Sequence, residues 1–138
     1  MGIKLITFEN KLNENANITL DVVKILSKKI KKLKISAISG QCTMEFLKQN
    51  IKSGDYIFIL DTMVSGLMPG TVMTIPLNTH NLKHDIKYAA HGKELMQYLM
   101  SSRINIEGTI ITIETESPIN SIQGICREVY DVLVNSIK

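Results

Sequence analysis

Several residue types that mark particular protein classes are scarce in this sequence. The chain of 138 residues has 2 cysteines, no tryptophan and only 5% aromatic residues. Cys42 and Cys126 are far apart, and neither belongs to a C-x-x-C pair or has a histidine at metal-finger spacing. We therefore expect neither a disulfide framework nor a structural zinc site.

Long apolar runs and a large excess of charge are also missing. No apolar run approaches the roughly 20 residues that a membrane-spanning helix needs, and the first residues lack the features of a signal peptide. The formal net charge is only +3, which does not indicate a polycation built for nucleic acid. We expect a soluble cytoplasmic protein that binds neither a membrane nor a nucleic acid.

Positive charge is concentrated in one segment, from Lys28 to Lys34, which holds five lysines. We interpret it as the solvated end of a helix, where lysines complement the negative pole of the helix dipole. The alternative is a surface for an acidic partner or for nucleic acid.

The order of apolar patterns along the chain predicts an α/β fold. Strand-like and helix-like segments alternate without a linker rich in Pro, Gly or Ser and without a repeat. This predicts a single domain over residues 1–138, a three-layer α/β/α structure with one mixed sheet of about five strands. The predicted strands are 3–8, 35–38, 55–60, 71–77 and 109–115, and the predicted helices run from Thr19 through the lysines, over 43–51 and 89–100, and from about 118 onward.

The clearest element is the strand from Asp55 to Leu60, whose continuous apolar run ends at Asp61. A run of this kind is typical of a central strand buried on both faces. Ligands of such sheets gather at the carboxyl ends of the strands. We therefore expect the segments 10–17, 40–43 and 61–69 around one rim of the sheet.

Common catalytic and nucleotide-binding motifs are absent. No G-x-G-x-x-G follows the first strand and no G-x-S-x-G is present. The Gly92-Lys93 pair lacks the upstream glycine and the hydroxyl residue of a phosphate-binding loop. The absence of these motifs argues against the common dinucleotide-binding, nucleoside-triphosphate-binding and serine-hydrolase sites.

Two residues are candidates for chemistry, each with a more ordinary alternative. A carboxylate such as Asp61 at the end of a buried strand is costly to desolvate, but it can also cap the following turn. His91 precedes a predicted helix and can act in a site or simply bond to backbone and solvent. His80 and His84 have the spacing of metal ligands on a helix, yet their polar surroundings favour a solvated loop.

The neighbourhoods of these two residues resemble a known protein family. The segment from Ile57 to Val72, a hydrophobic strand ending in Asp61 and followed by Gly66 and Pro69-Gly70-Thr71, resembles the hydrogenase maturation endopeptidases. The segment from Ala89 to Leu95 is similar to their Ser-x-His-x-x-x-Leu segment. Weaker similarities lie in Asn10-Lys11-Leu12 after the first strand and in Gly40 to Leu47. The similarity follows the same order along nearly the whole chain.

The resemblance implies an endopeptidase that removes the C-terminal extension of a hydrogenase large-subunit precursor after recognising the nickel in it. It implies that Asp61 and His91 are both catalytic residues and nickel ligands, a donor pair that suits nickel(II). The family's acidic ligand after the first strand corresponds to Ala16 here, and Glu14 is the best substitute, before Glu9. The alternative is a degenerate relative that binds a metal or a partner without cleaving it.

Overall fold

A computed structural model of the chain describes residues 2–9, 17–115 and 121–137. The predicted α/β class with one mixed, five-stranded sheet is confirmed. Within these ranges, every helix lacks the length or the apolar composition that crossing a bilayer requires. In chain order the elements are β1 (Ile3–Phe8), α1 (Ile18–Lys32), β2 (Ser36–Gly40), α2 (Met44–Asn50), β3 (Tyr56–Met63), β4 (Val72–Asn78), a 3-10 helix (His84–Tyr88), α3 (Gly92–Ser102), β5 (Glu107–Glu114) and α4 (Ile122–Ile137).

The sheet has the strand order β2-β1-β3-β5-β4, with β3 in the middle. β3 runs parallel to β1 and β5, whereas the edge strand β4 runs antiparallel to β5. The side chains of Ile57 and Ile59 are fully buried in β3, as the continuous apolar run predicts. β2 also runs parallel to β1. The carboxyl ends of these four parallel strands, β1, β2, β3 and β5, lie at one rim of the sheet, which we call the C-terminal rim.

Two hydrophobic layers cover the two faces of the sheet. Because side chains of a strand alternate between faces, Ile57 and Ile59 pack toward α2 and α3, and Phe58 and Leu60 pack toward α1 and α4. The apolar stripe of α1, with Val22, Leu26 and Ile30 buried, supplies the second layer. The same alternation decides which face each polar residue at the C-terminal rim occupies.

The lysine run closes α1 as a solvated helix end, with all five lysines exposed. Three of them lie in the last turn, where positive charge offsets the negative pole of the helix. The helix begins earlier than predicted: Asn17 occupies the N-cap position, and Thr19 is buried inside the first turn.

Two boundaries near the candidate residues differ from the predicted ones. β3 continues beyond Leu60, and Asp61 to Met63 still pair with Thr112 to Glu114 of β5. Asp61 therefore lies within the strand and not after its end. The helix predicted from Ala89 begins only at Gly92, because the preceding residues form the 3-10 helix and a turn.

Candidate functional site

Asp61 lies at the C-terminal rim with only 3% of its surface exposed. It shares the face of Ile57 and Ile59, because these residues are separated by even numbers of positions. That face carries α3, so the carboxylate points toward the beginning of this helix. Asp61 is buried by its place in the strand, and its charge requires partners there.

The backbone at the end of β3 brings His91 to Asp61. Met63 forms a bridge with Ala89, and the N–H of Ala90 donates to the carbonyl oxygen of Thr62 at 2.9 Å. Gly92 follows, where a Cβ atom would lie 1.7 Å from the carbonyl oxygen of Ile86. A residue with a side chain therefore cannot start α3 this close to the 3-10 helix.

Asp61 and His91 make direct contacts through both the side chain and the backbone of the histidine. The distance from His91 Nδ1 to Asp61 Oδ1 is 2.9 Å, and the backbone N–H of His91 donates to Asp61 Oδ2 at 2.7 Å. The N–H of Thr62 also donates to Oδ1, at 2.9 Å. Because an ionised carboxylate only accepts hydrogen bonds, Nδ1 carries the proton in the neutral form of the ring, and Nε2 then keeps its lone pair. We call this pair the Asp61–His91 dyad.

Aromatic rings support the histidine from the neighbouring strand. The centroid of the Phe8 ring lies 4.9 Å from that of His91, and the Phe46 ring packs edge-on against Phe8 at 6.1 Å. Phe46 lies over Gly40, where a Cβ atom would be 2.3 Å from the ring. The rings thus fix the orientation of His91 and connect it to the end of β2.

Burial and charge act in opposite directions on His91. Burial disfavours the charged imidazolium, but the hydrogen bond to Asp61 and the negative charges of Asp61 and Glu94 outweigh it, so the pKa of His91 lies above its ordinary value of 6.5. The side chain of His91 keeps 17% of its surface exposed. The dyad can therefore hold a proton near neutral pH and still reach a substrate.

Cys42 lies within the electrostatic reach of the dyad, and its surroundings disfavour the nucleophilic thiolate. Burial, together with the negative charges of Glu94 and Asp61, raises the pKa of its thiol to about 12. A thiol with this pKa is neutral at physiological pH, and the thiolate is the reactive form. Cys42 and Cys126 are both free thiols.

The other predicted residues do not join the dyad in the described part of the chain. His80 and His84 are both exposed, as predicted, but only His80 lies in a loop, because His84 begins the 3-10 helix. Glu9 is exposed, and its N–H donates to the carbonyl oxygen of Gly40. Glu14 and Ala16 lie outside the described residues. Over residues 2–9, 17–115 and 121–137, no three His, Cys, Asp or Glu side chains form a group that could hold a metal ion.

The sequence patterns did not single out a second buried carboxylate at the same rim, Glu114. It ends β5 with 2% of its surface exposed, and it shares the face of Asp61 because Asp61 pairs with Thr112, two positions earlier. Its carboxylate accepts hydrogen bonds from the N–H and the hydroxyl of Ser65. The sequence signal for it is a charge directly after the isoleucine-rich segment Ile110 to Ile113, a weaker form of the signal that marks Asp61.

Comparisons with known proteins reveal a fold relationship. No protein-family model matches the chain, and no curated protein sequence matches it either. Among solved structures, it is similar to the [NiFe] hydrogenase maturation protease HybD from Thermococcus kodakarensis, with 16% identity, a TM-score of 0.70 and full coverage (100%) of both chains.

Two further structures show the same relationship. An endopeptidase from Escherichia coli has 16% identity and a TM-score of 0.73, over 99% of this chain and 92% of its own. A hydrogenase 2 maturation peptidase from a Thaumarchaeota archaeon has 17% identity and a TM-score of 0.65, over 98% and 97%. The chain thus has the fold of the hydrogenase maturation proteases over nearly its whole length.

Proposed function

We propose that this chain is an endopeptidase that removes the C-terminal extension of a nickel-bearing hydrogenase large-subunit precursor. The observation that carries the proposal is the Asp61–His91 dyad: two residues 30 positions apart in sequence are hydrogen-bonded at the C-terminal rim. The resemblance of the sequence to this protease family points to the same two residues. The shared fold of the three solved proteases supports the same assignment.

The dyad divides the work of hydrolysis between its two members. Asp61 is buried and bonded to His91 through both carboxylate oxygens, so it acts on the substrate mainly through the imidazole. It holds the proton on Nδ1 and stabilises the imidazolium. His91 Nε2 then faces the substrate, where it can take a proton from the attacking water and return it to the leaving amine nitrogen.

Nickel enters this proposal as part of the substrate. The Asp61 carboxylate accepts three hydrogen bonds and keeps one further lone-pair site, an oxygen donor that suits nickel(II). His91 Nε2 is a nitrogen donor that suits the same ion, but it serves either nickel or proton transfer, not both at once. Glu14 is the third donor that we propose, and the precursor itself supplies the others. When bound, nickel offers a Lewis acid and a fixed point from which the extension can be positioned.

A cleavage assay tests the proposal. Nickel-loaded large-subunit precursor from the same genome is incubated with the chain, and release of the C-terminal extension is followed by mass spectrometry. We expect His91→Gln to reduce the rate by about 10²–10⁴-fold, the usual contribution of a general acid or base. His80→Gln, a change at an exposed histidine just after the end of β4, which pairs with the start of β5, is the matched control. An intact precursor after incubation with the parent chain would refute the protease assignment.

Calorimetric titration with nickel tests the donor set separately. We expect weak binding to the parent, since few donors hold the metal, no binding to Asp61→Ala, and tighter binding to Ala16→Glu. Loss of binding in His91→Ala assigns Nε2 to nickel, whereas retained binding reserves Nε2 for proton transfer. If neither the parent nor Ala16→Glu binds nickel, the metal part of the proposal is wrong.

A degenerate relative that binds without cleaving is the second candidate. The observation in its favour is Ala16, which has no donor at the position where the family places an acidic ligand. This candidate predicts that the chain binds the precursor and leaves it intact. Binding and cleavage measured on the same precursor separate the two functions.

A further inference from the structure

The loop between β3 and β4 presents apolar side chains to solvent. We call Val64 to Pro69 the rim loop. Val64 is 66%, Leu67 42% and Met68 80% exposed, and no residue from Met63 to Thr71 has an ionisable side chain. A cluster of exposed apolar side chains is costly in water and marks interaction surfaces. Methionine is common at such surfaces because its side chain adapts to different partners.

A buried carboxylate holds the first part of this loop in place. The N–H of Ser65 donates to Glu114 Oε1 at 3.0 Å and to Oε2 at 3.1 Å, and its hydroxyl donates to Oε1 at 2.5 Å. Hydrogen bonds to an ionised carboxylate are stronger than neutral ones. Burying Glu114 carries a desolvation cost, and these bonds to the rim loop offset part of it.

The last part of the loop is tied to the same strand. The N–H of Gly70 donates to the carbonyl oxygen of Glu114 at 2.9 Å, and the N–H of Glu114 donates to that of Thr71 at 2.9 Å. The Thr71 hydroxyl donates to the carbonyl oxygen of Met68 at 2.6 Å. The exposed apolar side chains therefore belong to a loop that is fastened on both sides.

The rim loop is continuous with the dyad. It begins three residues after Asp61, and Met63, the last residue of β3, bridges Ala89 just before His91. A polypeptide bound at His91 therefore lies at the same rim as the rim loop.

We propose that Val64, Leu67 and Met68 form a docking surface for an apolar segment of the precursor that lies next to the cleaved bond. This inference rests on the proposed function, because the dyad must act on a polypeptide. The absence of charge from Met63 to Thr71, in a chain with 21% charged residues, matches an uncharged apolar segment and disfavours a charged one. Glu114 is the positioning residue that keeps the surface in place.

Paired methionine variants test the surface. Met68→Ser and the double variant Leu67→Ser/Met68→Ser are compared with Met100→Ser, since Met100 is 69% exposed but lies near the far end of α3. With nickel-loaded precursor as the probe, we expect Leu67→Ser/Met68→Ser to raise both the Kd and the KM at least about tenfold, the usual effect of losing buried apolar side chains. The kcat should change little, and Met100→Ser should match the parent.

Glu114 variants test the positioning role. Glu114→Ala removes the acceptor of Ser65 and should raise the KM, whereas Glu114→Gln keeps a carbonyl oxygen for the N–H and the hydroxyl and should restore most of the binding. Equal KM values for the parent, Leu67→Ser/Met68→Ser and Glu114→Ala would overturn the inference.

The outcomes separate this inference from the proposed function. If the parent binds the precursor without cleaving it, the protease assignment fails, and the Kd values still decide the docking surface. If the parent neither binds nor cleaves, both fail. A self-association that Met68→Ser abolishes, with unchanged precursor binding, assigns the surface to a second copy of the chain and overturns the inference.

Discussion

The charge of Asp61 is tolerated in a buried strand because each of its oxygens has a nearby donor. Two backbone N–H groups and His91 Nδ1 surround the carboxylate within 2.9 Å. This is more than a cap on a turn, since one of the donors is a titratable ring with a free nitrogen on its outer side. Asp61 thus both accepts hydrogen bonds from nearby backbone N–H groups and holds the ring of His91. The two roles that the sequence suggested for it belong to one hydrogen-bond network.

At the residue scale, we predict that Asp61→Asn lowers the pKa of His91. The asparagine keeps the size of the side chain but removes the negative charge, so burial is no longer outweighed. NMR titration of the His91 ring in the metal-free protein measures the change, with His84 as an internal reference at an exposed position. An unchanged pKa of His91 in this variant would contradict the dyad.

The same contact makes the free energy of unfolding depend on pH. Because folding raises the pKa of His91, the folded state binds more protons there than the unfolded state. The stabilisation is fully present below the unfolded pKa, about 6.5, and is lost as the pH rises through the folded pKa. The stability difference between the parent and Asp61→Asn should therefore shrink as the pH rises above about 6.5, as measured by urea unfolding.

At the scale of elements, the end of β3, the 3-10 helix and the start of α3 act as one unit. Met63 pairs with Ala89, and the N–H of Ala90 bonds to Thr62. Gly92 permits the close approach between α3 and the carbonyl oxygen of Ile86. The position of His91 therefore depends on packing at residues that carry no chemistry.

We predict that Gly92→Ala destabilises the protein and displaces His91. A Cβ atom would lie 1.7 Å from a backbone oxygen, and overpacking of this kind costs about 1–3 kcal/mol or more. Gly124→Ala is the control, because nothing lies within 4 Å of its Cβ and alanine in a helix stabilises by about 0.5–1 kcal/mol relative to glycine. Urea midpoints of both variants measure the effect, and equal midpoints would disprove the close packing at Gly92.

At the scale of the whole molecule, the cluster of positive charge and the candidate active site lie on different elements. The lysines at the end of α1 are exposed, whereas the dyad and the rim loop lie at the C-terminal rim on the face of α3. Within the lysine run, Lys29 has a ring contact, with its Nζ 5.0 Å from the centroid of Tyr130. Because exposed charges contribute little to stability, we expect these lysines to add little to the free energy of unfolding.

We predict that replacing Lys28, Lys31 and Lys32 together by Gln leaves the free energy of unfolding within about 0.5 kcal/mol of the parent. Lys29 is kept because of its contact with Tyr130. Retention on heparin is measured beside stability. Strong retention at physiological salt that collapses in the triple variant would instead assign the run to nucleic acid or an acidic partner.

Much of this architecture follows from local patterns in the sequence. The continuous apolar run of β3 predicts its central position, and the two-residue period of a strand places Asp61 on the same face as Ile57 and Ile59. The apolar stripe of α1 and its lysines similarly predict a buried side and a solvated end. These features depend on burial along a single element, which a sequence records directly.

Contacts between distant elements needed the folded chain. The sequence pattern ends β3 at Leu60, because a charge such as that of Asp61 is unfavourable in a buried strand. Ala90 and His91 provide the hydrogen bonds that let the strand continue to Met63. Glu114 and Ser65 are 49 positions apart, and no local period connects them. Such pairs arise from strand order and from the approach of α3 to β3, where partners satisfy buried charges that the sequence shows only as isolated carboxylates.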